Sequence, residues 1–306
     1  MGTTTTNPMA TAQHSILLLR LPNSVHSDPS LVQQVLTEVI LKTARSLLII
    51  LDCPGLSRQA SPRDTTHPIG WSQLQNLLAL LYATATQVAA KQNKFLFETD
   101  IILERPTEPQ SCVRLANISQ ICVARNASEP SGQDTGLFSI TAMGGTFDHL
   151  HSGHKLLLTM AAWITTGTLY CAVSDEPLLK NKKFADYLEP FPKRCRRVRD
   201  FLNLINPDLD YRTPPLEDPY GPTITAPEIQ ALICSEETLP GGHAVNNERA
   251  KRNFPPLQLM VITVISHASP KANLSDNRSS ETQSAYSLKL SSTAIREYYH
   301  KLDCSS

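Results

Sequence analysis

The sequence predicts an α/β protein in which a larger parallel-sheet domain follows a smaller one. Three observations carry that prediction. Apolar runs of strand length alternate with stretches of helical periodicity in both halves of the chain. A polar, turn-rich segment, "NASEPSGQDTG" (126–136), separates the halves. The chain has 306 residues, 41% of them hydrophobic, which is enough for two cores. The expected organisation is an N-terminal α/β domain over 1–125, a linker over 126–137 and a second domain over 138–306.

In the first domain, "SILLLRLP" (15–22) reads as a strand. "SLVQQVLTEVILKTA" (30–44) has apolar residues at 31, 32, 35, 36, 39 and 40, the spacing of a helix, with Ser30 as its N-cap. "SLLIILDCP" (46–54) is a buried strand closed by proline, and 55–70 is a loop. A long helix (71–91) and a short strand, "DIILE" (100–104), follow. This domain offers no cluster of chemistry-bearing residues.

The second domain begins with the strand "LFSITAMGG" (137–145) and the helix "HKLLLTMAAWITTG" (154–167). The strand "TLYCAVS" (168–174) and the helix "KRCRRVRDFLNLIN" (193–206) come next. Strands "QALICS" (230–235) and "LQLMVITVIS" (257–266) precede a polar stretch and a final helix entered through "LKLSSTAIR". Near-continuous apolar strands separated by helices indicate a parallel sheet covered on both faces. Ligands bind such sheets at the carboxyl ends of the strands.

Charge excludes one class of partner. Lys+Arg equals Asp+Glu at 28 each, and residues 1–140 carry 10 of each sign, so neither half is a basic surface for nucleic acid. Seven scattered cysteines without paired spacing are expected of reduced thiols in a cytoplasmic or nuclear compartment. No apolar run reaches membrane length and no secretory signal opens the chain. "MGTTTT" fits the loose myristoylation pattern at Gly2, but without a basic patch it reads as a frayed, Thr-rich terminus.

The chemistry concentrates in "TAMGGTFDHLHSGHK" (141–155). Gly144 and Gly145 let a phosphate approach backbone N–H groups. His151 and His154 lie three apart in the first turn of a helix, a setting that suits an anionic, phosphate-bearing ligand, and Gly153 between them keeps that face open. Metal binding by Asp148, His149, His151 and His154 is the competing reading, and His149 alone reads as a structural residue. Ser291, Ser292 and Thr293 form an N-terminal cap whose hydroxyls and N–H groups can hold phosphates.

"GGTFDHLHSGHK" resembles the H-x-G-H signature of the nucleotidyltransferase superfamily. Together with "SDEPLLKNKK", "EPFPKRCRRVRDFL", "LEDPYGPT", "SEETLPGGHAVNNERA" and "LSSTAIR", in that order, the region 138–302 is similar to eukaryotic phosphopantetheine adenylyltransferases. The resemblance implies a Rossmann-like nucleotidyltransferase domain that acts on ATP, with Mg²⁺, and 4′-phosphopantetheine. It implies catalytic roles for His154, His151 and Lys180. ATP is expected on Gly144, Gly145, Thr146, Phe147, Arg249, Ser291, Ser292 and Thr293. Phosphopantetheine is expected on Thr146, Lys182, Arg194 and Asn246, and no resident metal is expected.

No G-x-x-x-x-G-K-[ST] loop occurs, so the monofunctional form is expected. Residues 1–125 are then candidates for docking other coenzyme A pathway enzymes. The competing functions are transfer to another phosphomonoester and a non-catalytic scaffold.

Overall fold

The computed structural model describes residues 12–20, 29–52, 69–103, 121–125, 138–262 and 291–305. The segment expected as a linker, Gly2, most of the 55–70 loop and the polar stretch before the last helix lie outside these residues. The chain divides into two compact units, Met1–Ser57 with Leu80–Gly132, and Arg58–Ala79 with Gln133–Ser306. Among the described residues no helix is long and apolar enough to cross a membrane.

The first unit is a four-stranded parallel sheet in the order β3-β2-β1-β4, with β1 Ala12–Arg20, β2 Thr43–Asp52, β3 Glu98–Leu103 and β4 Ile121–Arg125. Leu17, Leu47, Ile49, Leu51 and Ile101 are buried along it. Helix α1 (Pro29–Leu41) starts a residue earlier than Ser30, because proline's fixed φ suits the first helical position. It also stops before Thr43, which opens β2 instead. The Thr43 hydroxyl donates to the Val39 carbonyl (2.7 Å) and shares a hydrogen bond with the Ser15 hydroxyl (2.6 Å), tying the end of α1 to β1. Lys94 donates to the Ile40 and Thr43 carbonyls at 2.7 and 2.6 Å, a cation at a helix C-terminus. Helix α2 spans Ile69–Lys91. Strand β4 was not legible in the sequence: five residues carry little periodic information, even with the turn-rich segment 126–136 directly after them.

The second unit is a six-stranded sheet whose main path runs β10-β9-β5-β6-β7, with β8 pairing β6, and every pairing is parallel. The strands are β5 Phe138–Gly145, β6 Thr165–Ser174, β7 Asp210–Arg212, β8 Pro215–Leu216, β9 Ala231–Ser235 and β10 Gln258–Ile262. The helices are α3 Ser152–Ile164, α4 Phe191–Ile205, α5 Leu239–Lys251 and α6 Ser292–Cys304. From β5 the chain moves to β6 on one side and later to β9 on the other. The strand order therefore reverses beside β5, which makes its carboxyl end the switch point where ligands bind.

The second unit also differs from the expectation in two places. "TTG" belongs to β6 rather than to the preceding helix. Thr165 donates to the Ala161 carbonyl and shares a buried hydroxyl pair with Thr141 of β5, at 2.6 Å, so the β-branched residue closes the helix and joins the sheet. "LPGGHAVNNERAK" is a full helix, α5, although its proline and paired glycines read as loop. Pro240 sits in the first turn, where its missing N–H has no partner to lose. Gly242 packs so close to β10 that a Cβ would stand 3.1 Å from Leu259.

Candidate active site

At the end of β5 the chain turns through two non-glycine residues in the left-handed region, Phe147 (φ 49°) and His149 (φ 44°). Such conformations persist only where the surroundings fix them. Phe147 is fully buried, and its ring occupies the space beside Gly145, where a Cβ would lie 3.1 Å from it. His149 is held by its N–H on Glu189 Oε2 (2.9 Å) and by its Nε2 on the Tyr187 carbonyl (2.7 Å), so the proton sits on Nε2. Its ring stacks on Tyr299 with centroids 5.4 Å apart. This is a structural histidine.

Arg194, on α4, fixes the ends of the two central strands. Its Nη1 donates to the Thr146 carbonyl (2.8 Å) and the Ser174 carbonyl (2.7 Å), and its Nε donates to the Glu189 carbonyl (2.9 Å). The guanidinium is 1% exposed and lies over the Phe191 ring. Burial holds it below the ordinary arginine range, opposed by the Asp148 charge. The buried glutamate beside it has its carboxylate paired with Lys193 (3.1 Å) and Arg197 (3.3 Å), so part of the basic run on α4 is committed to framework.

Helix α3 begins at the two other histidines. His151 is its N-cap, and Nδ1 accepts the N–H of Gly153 at 3.2 Å. A lone pair is needed there, so the ring is neutral with its proton on Nε2. Burial, then the charges of Lys155 and His149, push His151 down to about 4. The ring of His154 stacks on it, centroids 3.9 Å apart and 28° between planes, with Phe147 on another side at 5.4 Å. His154 titrates well below the ordinary histidine range, through burial first and then the charges of His151 and Lys182. Its Nδ1 is buried without a hydrogen-bond partner. A buried polar atom without a partner is the kind of group that a ligand satisfies. Gly153 does not open this face to the ligand, as the sequence suggested: the space is filled by the His151 ring, which a Cβ would meet at 3.2 Å.

Two further segments converge here. After β6, Lys180, Lys182 and Lys183 are exposed on one loop, and Lys182 is near enough for its charge to act on His154. The turn entering α6 meets the loop before α3. Ser291 caps the helix, its hydroxyl accepting the Ala294 N–H at 3.2 Å, and the Ser292 hydroxyl donates to the Asp148 carbonyl at 2.8 Å. Asp148 is fully buried, its Oδ1 accepting the Glu189 N–H (2.8 Å) and its Oδ2 paired with Arg296 of α6. Among the described residues no group of three or more His, Cys, Asp and Glu is arranged to hold a metal. Beside Gly144 opens a cavity of about 280 Å³, lined mostly by apolar residues that include Met143, Leu216, Tyr220, Leu232 and Val245.

The structure thus brings together Gly144, Gly145, Thr146, His151, His154, Lys182, Ser291, Ser292 and Thr293, with Lys180 on the same loop as Lys182. Four expected ligands prove to be framework. All five N–H groups of Arg249 are spent on main-chain carbonyls: Nε on Pro255, Nη1 on Thr223 and Ala226, Nη2 on Pro227 and Ile229. Nothing remains for a phosphate. Asn246 pairs both ways with the backbone of Leu257, its amide donating at 3.0 Å and its oxygen accepting at 2.8 Å. Phe147 is buried beneath the loop rather than facing a nucleotide. Arg194 likewise acts on Thr146 through its carbonyl. Sequence reasoning missed Glu189 and Arg296, and met Asp148 only as a metal ligand. The available signal was an acidic residue beside a glycine-rich turn, which must be paired if buried.

A sheet reversing at a glycine pair, with two neutral imidazoles at one helix start and a hydroxyl-rich turn at another, defines a nucleotidyltransferase-type site. The chain matches the cytidylyltransferase-like family over residues 142–298 and belongs to it. It is 40% identical over 164 residues to the phosphopantetheine adenylyltransferase of Saccharomyces cerevisiae, covering 54% of this chain and 50% of that one. It is 44% identical over 178 residues to an uncharacterised protein of Schizosaccharomyces pombe, covering 58% and 53%. A phosphopantetheine adenylyltransferase of Pyrobaculum aerophilum is 35% identical over 128 residues, 42% of this chain and 81% of its own length. The chain spans about half the length of the two yeast relatives.

Proposed function

We propose that this protein transfers the adenylyl group of ATP to 4′-phosphopantetheine, giving dephospho-coenzyme A and pyrophosphate. The observation that carries this reading is the buried, unpartnered Nδ1 of His154 at the start of α3, with Lys182 close enough for its charge to act on the ring. The names of the relatives from Saccharomyces cerevisiae and Pyrobaculum aerophilum support it.

A phosphate oxygen of phosphopantetheine attacks the α-phosphorus of MgATP. A new P–O bond forms as the bond to the bridging oxygen of pyrophosphate breaks, and pyrophosphate leaves with that electron pair. Two anions must meet, so catalysis rests on positioning and on donors aimed at the equatorial oxygens. A neutral His154 donates an N–H to an α-phosphate oxygen, and the approaching anion raises its affinity for a proton. Lys182 and Lys180 neutralise the reacting phosphates, and Thr146 orients the attacking one. The N-terminus of α6, with the hydroxyls of its first turn, receives the β- and γ-phosphates. The apolar cavity beside Gly144 takes the uncharged arm of phosphopantetheine.

The test is a pyrophosphate-release panel, ATP or CTP against phosphopantetheine, nicotinamide mononucleotide and phosphocholine. Turnover confined to ATP with phosphopantetheine is expected; preference for another acceptor would overturn the substrate assignment. The N-terminal unit is assigned to docking of other enzymes of the same pathway. Its deletion should abolish their recovery from cell extract, and undiminished recovery would refute this.

A further inference from the structure

We propose that Arg296 is the positioning residue of this site, one guanidinium that sets the mutual placement of the three phosphate-facing segments. It is 2% exposed and points its donors in three directions. Nη1 pairs with the fully buried carboxylate of Asp148, in the loop that leads to His151 and His154. Nη2 donates to the Thr293 hydroxyl at 3.2 Å, within the Ser291–Thr293 turn. Nε donates to the Lys183 carbonyl at 2.9 Å, one residue beyond Lys182. Each contact therefore ends on, or one residue from, a segment assigned to phosphate.

The arrangement is closed on itself. Asp148 also accepts the Glu189 N–H with Oδ1, and its carbonyl accepts the Ser292 hydroxyl, so histidine loop and hydroxyl turn are joined twice. A guanidinium can serve these three acceptors because its fork is planar and rigid; an ammonium on a flexible stem can keep only part of the set. Burial makes the pair stringent, because an uncompensated charge in this place is strongly unfavourable. At 2% exposure and with Nε, Nη1 and Nη2 each engaged by the protein, Arg296 acts through these neighbours. The inference rests on the adenylyl-transfer reading for what the three segments hold.

The experiment compares wild type with Arg296→Lys and Asp148→Asn by calorimetric titration of MgATP, steady-state kinetics and thermal melting. The expected result is an ATP dissociation constant raised about tenfold in each variant, the loss of roughly one charge-assisted hydrogen bond. The turnover number should fall by about ten- to a hundredfold, as misplacement on the order of 1 Å predicts. The KM for phosphopantetheine should move less than about twofold, and the double variant should be no worse than the poorer single one. Folded variants with a lowered melting temperature but unchanged ATP affinity and turnover would show a merely structural role and overturn the proposal. If Arg296→Lys does not fold, Asp148→Asn, which is isosteric and keeps the Glu189 contact, decides alone by the same two constants. The titration needs no acceptor. A wild type that binds ATP yet ignores phosphopantetheine would sink the functional reading, while the affinity ratio still judges Arg296. A wild type that does not bind MgATP would sink both.

Discussion

The imidazoles of His151 and His154 lie face to face at 3.9 Å, and neither shares a hydrogen bond with the other. Two stacked rings cannot both carry a proton without strong repulsion, so one charge at most is tolerated there. The pair is thus kept neutral until an anion arrives, and the first three predictions follow from that state.

Replacing His154 by alanine removes the donor proposed for the α-phosphate. Turnover should fall by two to three orders of magnitude, about 3–4 kcal/mol, with ATP affinity little changed. The melting temperature should hold or rise, because an unpartnered buried nitrogen is lost with the ring. His149→Ala should do the reverse, lowering stability through its left-handed φ of 44° while sparing most of the turnover. Equal kinetic damage in both variants would contradict the division of roles.

Stability should fall on acidification, with a sign set by these rings. The folded pKa of His151, about 4, lies below the 6.5 of an unperturbed histidine, so the unfolded chain takes up the proton first. The ring's contribution is complete above about pH 6.5 and is lost as the pH falls toward 4. Melting temperatures across that window should slope less steeply in His151→Asn, which keeps a capping side chain. Superimposable slopes would show that the ring is not the source.

Gly153→Ala should act on catalysis rather than on folding. Its Cβ would stand 3.2 Å from the His151 ring, displacing the ring and, through the stack, His154. A roughly tenfold or larger loss of turnover is expected. Gly241→Ala, on α5, meets nothing within 4 Å and should raise stability by up to about 1 kcal/mol. Since Gly241 lines the cavity, any kinetic effect should appear in the KM for phosphopantetheine. An unchanged turnover in Gly153→Ala would remove the steric argument.

Arg249→Met should be a stability mutation. Five carbonyls lose their donor, and the destabilisation should reach at least about 3 kcal/mol by denaturant titration. For whatever fraction remains folded, the KM for ATP should match wild type. A large rise in that KM at full stability would restore Arg249 to the phosphates.

What was legible in the sequence was local. The Gly144–Gly145 turn, the histidines at the start of α3 and the Ser291 cap are written in a few adjacent residues, and they fall where the periodicity put them. Arg249, Arg194 and Asn246 were visible as residue types only. Whether a guanidinium turns toward a phosphate or onto carbonyls of a distant loop depends on backbone that the flanking residues do not specify. Asp148 and Arg296 show the same limit from the other side, since a buried ion pair is two unremarkable charges until the fold brings them together. Helix α5 was hidden because proline and paired glycines serve a helix start as well as a loop. Tertiary contact with Leu259 decided between them.

The hydroxyl of Ser292 reaches an acceptor 144 positions earlier in the chain. During synthesis, the histidine loop therefore emerges and folds long before the segment that completes it, with Asp148 awaiting its cation. Closing so long a loop is slow relative to forming α3 or the β5–β6 pair, which places the docking of α6 among the late events of assembly. A chain arrested before Ser291 would carry the sheet and both imidazoles, yet it would lack the clasp that makes them a phosphate site. On the proposed reading, competence for catalysis is acquired only once α6 has docked on the histidine loop.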